Sequence, residues 1–284
     1  MIFLRNYQMI SIIIPSLKGD TNELEKELKN ISINQEIEII VIKNVSPVAK
    51  ARNQGAVQSK GDILIFLDDD IEFSSTELID KISETILKEL TSGVVGVGLM
   101  LPKNATWFEK RLAKEINRIE IIPPKDLTQT DDGITGVCFG IKKETFLEIG
   151  GFNEELVSGE DPEFFYRLTK RGLKNYLLPS MYVYHHAPKN IPGLIKKFYW
   201  YGKGHYQSRH LHPEWGIGLK IENSSQAILY VLIRTLLLPV HFFIDSSFKT
   251  KKITVSFRPF RAISSYAAVW GYTRAFFNHQ SNNI

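Results

Sequence analysis

Gly61-Asp62-Ile63-Leu64-Ile65-Phe66-Leu67-Asp68-Asp69-Asp70 is the stretch on which the fold turns: five apolar residues entered through a turn dipeptide and left through three carboxylates. A short, continuous apolar run bounded in this way is the pattern of a strand buried on both faces. Three consecutive carboxylates at a strand end repel one another and are relieved by a shared cation. In extended chain Asp68 and Asp70 project to one side and Asp69 to the other, so the first and third are the candidate metal ligands. A solvated acidic turn is the plain alternative for an Asp triplet. The strand before this one and the helix after it favour the metal.

Upstream, residues 10–14 and 37–42 are further β-branched apolar runs. Between them Asn22–Asn30 predicts a helix, with Leu24 and Leu28 four apart on one face. Residues 48–59 predict a second helix. Downstream, Ser74-Ser75-Thr76-Glu77 predicts an N-cap with an acidic first turn, opening a helix to about Leu90. Residues 94–101 read as another strand. Such alternation indicates an open α/β sheet, which places ligands beyond the carboxyl ends of its strands. After Leu101 the alternation breaks. Asn104–Ile119 predicts an amphipathic helix with Trp107 and Phe108, residues 133–141 a strand, residues 143–149 a helix and Gly150-Gly151 a turn. Residues 160–171 predict a helix closed by Gly172, and residues 176–184 an extended segment leading into His185-His186.

The chain of 284 residues is 43% hydrophobic and 23% charged, which excludes disordered and fibrous classes. Its sole cysteine, Cys138, excludes an internal disulfide framework and a cysteine-based zinc site. The net charge of +4 hides an asymmetry: residues 1–186 carry 22 Lys and Arg against 28 Asp and Glu, and residues 187–284 carry 13 against three. An acidic front and a basic, aromatic back predict chemistry first and attachment to an anionic surface second.

Three clusters outside the Asp triplet are chemically suggestive. Gly159-Glu160-Asp161-Pro162-Glu163 starts a helix, with Asp161 placed as an N-cap before proline. That is a complete structural explanation, yet a carboxylate fixed at a helix start also makes a good general base. His185-His186 closes an extended segment. A histidine there can be a hydrogen-bonded structural residue or can join carboxylates on a metal such as Mn²⁺. Adjacent strand residues face opposite ways, so one of the two is the expected ligand. Residues 189–212 interleave Lys196, Lys197 and Lys203 with Phe198, Tyr199, Trp200 and Tyr201, a pattern that RNA-binding segments also use. Beside the acidic cluster, the reading favoured here is a cover for the site or contact with phospholipid, with no nucleic acid.

In family order, several blocks resemble family 2 glycosyltransferases of the GT-A fold. Ser11-Ile12-Ile13-Ile14-Pro15-Ser16 is similar to the first strand, Ala51-Arg52-Asn53-Gln54-Gly55-Ala56 to the following helix, and the 61–70 stretch to the strand and DxD motif. Gly150-Gly151-Phe152-Asn153 is similar to the GGF turn, Gly159-Glu160-Asp161 to the ED motif, and the last histidine pair to the histidine after the final strand. The resemblance covers roughly residues 10–186. It implies a Rossmann-like, mostly parallel sheet flanked by helices and a metal-dependent inverting transfer of one sugar from a nucleotide-sugar donor. Asp68 and Asp70, with His185 or His186, would hold Mn²⁺ or Mg²⁺. Pro15, Ser16, Asn44, Arg52, Asp68 and Asp69 would lie on the donor side. Asp161 would be the base, and Glu160 would hold the acceptor or orient that base. The acceptor would be a lipid-linked sugar or a saccharide. The alternatives are transfer of a hexose to polyprenyl phosphate and, less favoured, sugar nucleotide synthesis. The second strand departs from the family: it ends Ile42-Lys43-Asn44-Val45, without the usual acidic contact to a nucleobase, which leaves the uridine preference open. No QxxRW block of the polymerising members is present.

The expected division is a catalytic domain over residues 1–190, with a nucleotide-sugar half to about 100 and an acceptor half beyond it, and a helical extension over 191–284. Residues 227–244 are apolar but carry Arg234 centrally, which is costly in a spanning helix. Residues 262–277 are aromatic, and Lys249, Lys251, Lys252, Arg258 and Arg261 lie between the two segments. This predicts peripheral or monotopic attachment to the cytoplasmic face of the cell membrane. The N-terminus lacks the unbroken apolar core of a signal peptide, which fits that placement. The oligomeric state is left open.

Overall fold

The computed structural model describes residues 9–31, 35–89, 91–130, 134–215, 219–247 and 252–282. The chain opens with β1 (Ile10–Ser16), α1 (Asn22–Asn30), β2 (Ile37–Lys43), α2 (Val48–Gln58) and β3 (Ile63–Leu67). There follow β4 (Ile71–Phe73), α3 (Leu78–Lys88), β5 (Ser92–Met100), α4 (Trp107–Glu115), β6 (Thr128–Gln129), β7 (Cys138–Lys142) and α5 (Lys143–Glu148). The rest is α6 (Glu160–Lys170), β8 (Lys174–His185), α7 (Ile191–Leu211), α8 (Ser224–Leu236), α9 (Leu238–His241), β9 (Ile244–Ser247), β10 (Lys252–Val255) and α10 (Pro259–Asn282). Two compact units result. The first takes in the chain to Lys103, Glu120–Glu155 and Glu160–His186; the second takes in Asn104–Ile119, Leu156–Gly159 and Ala187–Ile284.

In the first unit, helices flank a sheet of order β2-β1-β3-β7-β5-β8-β4, with β6 also on β8. β1 is parallel to β2 and β3, and β5 to β8, as the alternating front half requires. The sheet is more mixed than the sequence suggests. β7 runs antiparallel between β3 and β5, and β4 and β6 run antiparallel to β8. Strand alternation sorts the core into two layers. Ile63, Ile65 and Leu67 pack with Ile10, Ile12 and Ile14 on one face, while Leu64 and Phe66 pack with Ile13 and Phe139 on the other. Phe66, Phe139, Phe146, Phe152 and Phe164 form a continuous aromatic cluster on that second face, with ring centroids 4.8–6.2 Å apart.

Several predicted boundaries move for local reasons. The helix expected from Ser74 begins at Leu78, because Ile71–Phe73 is spent on β4. Ser74 Oγ donates to the Tyr182 carbonyl, and Ser75 Oγ accepts from Glu77 N at 3.2 Å, a turn rather than a cap. Leu90 lies outside the described residues. The helix expected over Asn104–Ile119 shrinks to α4, opened by Thr106, whose hydroxyl accepts from Glu109 N while Glu109 accepts from Thr106 N. Of the strand expected over 133–141, Cys138–Lys142 forms, and Gly133 lies outside the described residues.

In the second unit α7 and α10 lie backbone against backbone. A Cβ on Gly202 would fall 1.9 Å from the Ala268 carbonyl oxygen, and one on Gly271 equally close to that of Tyr199. The buried Glu115 carboxylate at the end of α4 accepts from Phe260 N at 2.8 Å and Arg261 N at 3.2 Å, filling the open donors at the start of α10. That bond explains why Asn104–Ile119 goes with the C-terminal helices. Gly202→Ala should therefore force α7 and α10 apart and cost about 1–3 kcal/mol, read as a lower denaturant midpoint.

Candidate active site

β3 ends at Leu67, and Asp68 N donates to the Val137 carbonyl at 2.9 Å, so the first aspartate leaves the strand at a fixed angle. The next two aspartates form a turn, and β4 starts immediately after Asp70. In the pairing of β4 with β8, Ile71 lies opposite His185, which brings Asp70 to that histidine. Asp70 Oδ1 and His185 Nε2 are 3.3 Å apart. One ligand atom each from Asp68, Asp70 and His185 lie within 4.8 Å of one another. Two carboxylates and one imidazole are a donor set that suits Mn²⁺, so these three residues fit a divalent ion. His186, just past the end of β8, is not among these ligand atoms.

Asp69 turns the other way. Its Oδ2 accepts from Ser16 Oγ at 2.6 Å, and Ser16 Oγ accepts from Gly19 N at 2.9 Å. The separation of Asp69 from Asp68 and Asp70 is the expected one, although a turn, not strand alternation, produces it. Asn44 follows β2 with a left-handed φ of 58°, and its N–H donates to the Ser16 carbonyl at 3.0 Å. Ser16, Asn44 and Asp69 thus meet at the carboxyl ends of β1, β2 and β3. Pro15 is buried within β1, opposite Ile42.

Arg52, expected on the donor side, is 2% exposed and gripped by protein. One terminal nitrogen donates to Glu160 Oε1 at 2.8 Å, and the other to Asp68 Oδ1 at 2.8 Å and the Gly136 carbonyl at 2.7 Å. Its guanidinium carbon stands 5.5 Å from the Phe152 ring centroid, a cation–π contact. The forked, planar guanidinium is what allows one side chain to hold two carboxylates.

Asp161 is not the N-cap that its position before proline predicts. α6 already begins at Glu160, so Asp161 sits in the first turn, where the helix dipole favours a carboxylate. Its Oδ2 accepts from Gly136 N at 2.8 Å. A Cβ on Gly136 would lie 3.0 Å from Asp161 Cβ and 3.1 Å from an Arg52 terminal nitrogen, so a side chain there would crowd both. Gly136 was not singled out from sequence, where nothing marks a glycine in a loop as a backbone contact.

Two of the motif residues prove to be scaffolding. Asn53 Oδ1 accepts from Phe152 N and Asn53 Nδ2 donates to the Phe152 carbonyl, both at 2.9 Å, as a backbone strand would. Gly151, with φ 66°, leaves room for that amide: a Cβ would fall 2.7 Å from Asn53 Oδ1. From the other side Arg167 donates to the carbonyls of Ile149 and Gly151 while paired with Glu163.

Residues 3–203 match the profile of the family described as Glycosyltransferase like family 2. The chain belongs to that family. The O-antigen biosynthesis protein RfbC of Myxococcus xanthus is 26% identical over 172 residues, covering 55% of this chain and 13% of that protein. Among solved structures, a mannosyltransferase from Pyrobaculum calidifontis, in complex with GDP-Man and Mn2+, aligns over 95% of this chain and 87% of its own at 13% identity and TM-score 0.55. GalNAc-T7 with UDP, GalNAc and Mn2+ aligns over 74% of this chain and 55% of its own at 17% identity and TM-score 0.44. The fold shared with the mannosyltransferase is the GT-A arrangement of a central sheet flanked by helices.

Electrostatics in this family member follow from burial. Desolvation and then the Asp161 charge push the Glu160 carboxyl up to about 7, against the pull of Arg52. Burial likewise raises Asp68, opposed by Arg52 and His185. In the unfolded chain Glu160 titrates near its ordinary 4.5. Between those values the native state holds a proton that the unfolded state has lost, so stability falls as pH rises through this window and levels off above it. In metal-free protein, Glu160→Gln should flatten the denaturation midpoint between about pH 5 and 7 relative to the wild type. Arg52→Met, which leaves the buried Glu160 without its counter-charge, should cost about 3–5 kcal/mol by chemical denaturation.

Proposed function

We propose that this protein is a metal-dependent, inverting glycosyltransferase that moves one sugar from a nucleotide-sugar donor to a hydroxyl of a lipid-linked or saccharide acceptor. The observation that carries this reading is the meeting of Asp68, Asp70 and His185 one arginine away from the Glu160-Asp161 helix start. Asp68, Asp70 and His185 would hold Mn²⁺ or Mg²⁺, and the ion, when bound, would neutralise the charge that gathers on the departing diphosphate. Ser16, Asn44 and Asp69 would form the nucleoside side of the pocket, with Pro15 behind them. The mannosyltransferase of similar fold, solved with GDP-Man and Mn2+, supports the donor class, and the O-antigen relative supports a glycan acceptor.

Asp161 would take the proton of the acceptor hydroxyl. The acceptor oxygen then forms a bond to the anomeric carbon, while the bond from that carbon to the diphosphate oxygen breaks and its electron pair leaves with the nucleoside diphosphate. A single in-line displacement of this kind inverts the anomeric centre. The Gly136 amide holds the base in place through its hydrogen bond to Oδ2. Arg52 takes a positioning role here: it holds Glu160, next in chain to the base, against Asp68.

Thermal-shift measurement with UDP, GDP, CMP and dTDP, each with and without Mn²⁺, tests the donor site. One of them should stabilise the protein only with metal, by about 2.7 kcal/mol at a hundred times its dissociation constant. Asp70→Ala should abolish that shift. Asp161→Asn should keep the shift and lose sugar transfer by roughly 10²–10⁴-fold. A variant at Asp161 that transfers at the wild-type rate sinks the assignment of the base and leaves transfer to a lipid phosphate, which needs no such deprotonation.

A further inference from the structure

α8 is amphipathic in the reversed sense. Ile228, Leu229, Leu232, Ile233 and Leu236 recur at the spacing of one helical face, and that face is turned to solvent, with Leu232 60% and Leu236 79% exposed. The helix meets α10 largely through polar groups and a small residue. Ser224 Oγ donates to Gln280 Oε1 at 3.0 Å, Thr235 Oγ1, at the edge of the apolar face, and Tyr266 Oη are 2.9 Å apart, and Ala227 is fully buried. Arg234, which interrupts the apolar stretch in sequence, lies on this inner side, donating to Ser265 Oγ with a terminal nitrogen 3.5 Å from His241 Nε2. The apolar surface continues past the helix, where the exposed rings of Phe243 and Phe257 pack 5.2 Å apart.

We propose that this outer face of α8, continued by Phe243 and Phe257, docks flat on an anionic phospholipid surface. Contiguous exposed apolar area of this kind marks a binding surface. Among the described residues no helix is long and apolar enough to cross a membrane, and at 13 residues α8 spans only about two thirds of a hydrocarbon core. A helix with one exposed apolar face that does not span lies in the interface. The charge selects the partner: residues 187–284 carry 13 Lys and Arg against three acidic residues, which anionic headgroups complement. A second copy of the chain would bring two such cationic regions together and be repelled. The docking face is independent of the chemistry proposed for the carboxylate site.

Flotation of the intact protein with vesicles of phosphatidylcholine, alone or mixed with phosphatidylglycerol, tests this. The protein should float with the mixed vesicles and release as salt is raised. Leu232→Glu, at an exposed position, should weaken binding at least about tenfold, while Val57→Glu, at a position 75% exposed on α2, should leave it unchanged. Wild-type protein that floats with neither vesicle overturns the proposal, as does Leu232→Glu protein that binds like the wild type. Light scattering that finds a dimer dissociated by Leu232→Glu, without vesicle binding, overturns it in favour of self-association.

Discussion

Arg52 is the constraint on which the site depends. A guanidinium buried to this degree is tolerable only if its charge and donors are met, and here Asp68, Glu160 and the Gly136 carbonyl meet them. Its Nε is left without a hydrogen-bond partner, an imperfection of about 1–3 kcal/mol that the double ion pair has to offset. These bonds tie together three segments far apart in sequence: the end of β3, the loop before β7 and the start of α6. Replacing buried ion pairs with well-packed apolar residues is often neutral or stabilising. Its retention is therefore better explained by the geometry it fixes than by the energy it contributes.

Around that hub, the positions that look most like chemistry in the sequence divide into two kinds. Asp68, Asp70 and His185 gather atoms that could hold a metal ion, and Asp161 has its carboxylate set against the Gly136 amide. Asn53, Gly151, Phe152 and Arg167 instead hold backbone to backbone. Asn53 bonds both polar groups of Phe152, and Arg167 closes on the carbonyls either side of Gly150. The Phe152 ring then completes the aromatic layer and lies beside the Arg52 guanidinium. Packing, turn and ion pair are thus one assembly, and a change in the turn would move the arginine.

Much of this was legible in the chain because short-range rules govern it. Asn22–Asn30 and Ile63–Leu67 form as read, since periodicity and flanking turns determine them. Strand direction is a different matter. Nothing in residues 138–142 says that they run antiparallel between β3 and β5, and a three-residue strand such as β4 is too short to show a period. Yet β4 is what carries Asp70 to His185. Likewise the residue types of the site could be named, but the burial of Arg52 and the Gly136 amide contact arise from long-range packing that local pattern does not encode.

The apolar C-terminal stretch illustrates the same limit from the opposite side. Hydropathy along residues 227–244 places Arg234 in the middle of what looks like a membrane segment, and only the helical turn assigns it to the face away from the leucines. Just before the acidic pair the chain passes through the second unit. Leu156–Gly159 belongs with α7: Val157 N donates to Gln207 Oε1 at 3.0 Å, and a Cβ on Gly204 would fall 2.0 Å from the Ser158 carbonyl oxygen. One peptide bond after Gly159, whose φ of 81° favours glycine, comes Glu160. The segment that delivers the acidic pair to its helix is therefore anchored on α7, and α7 in turn is locked to α10 by Gly202 and Gly271.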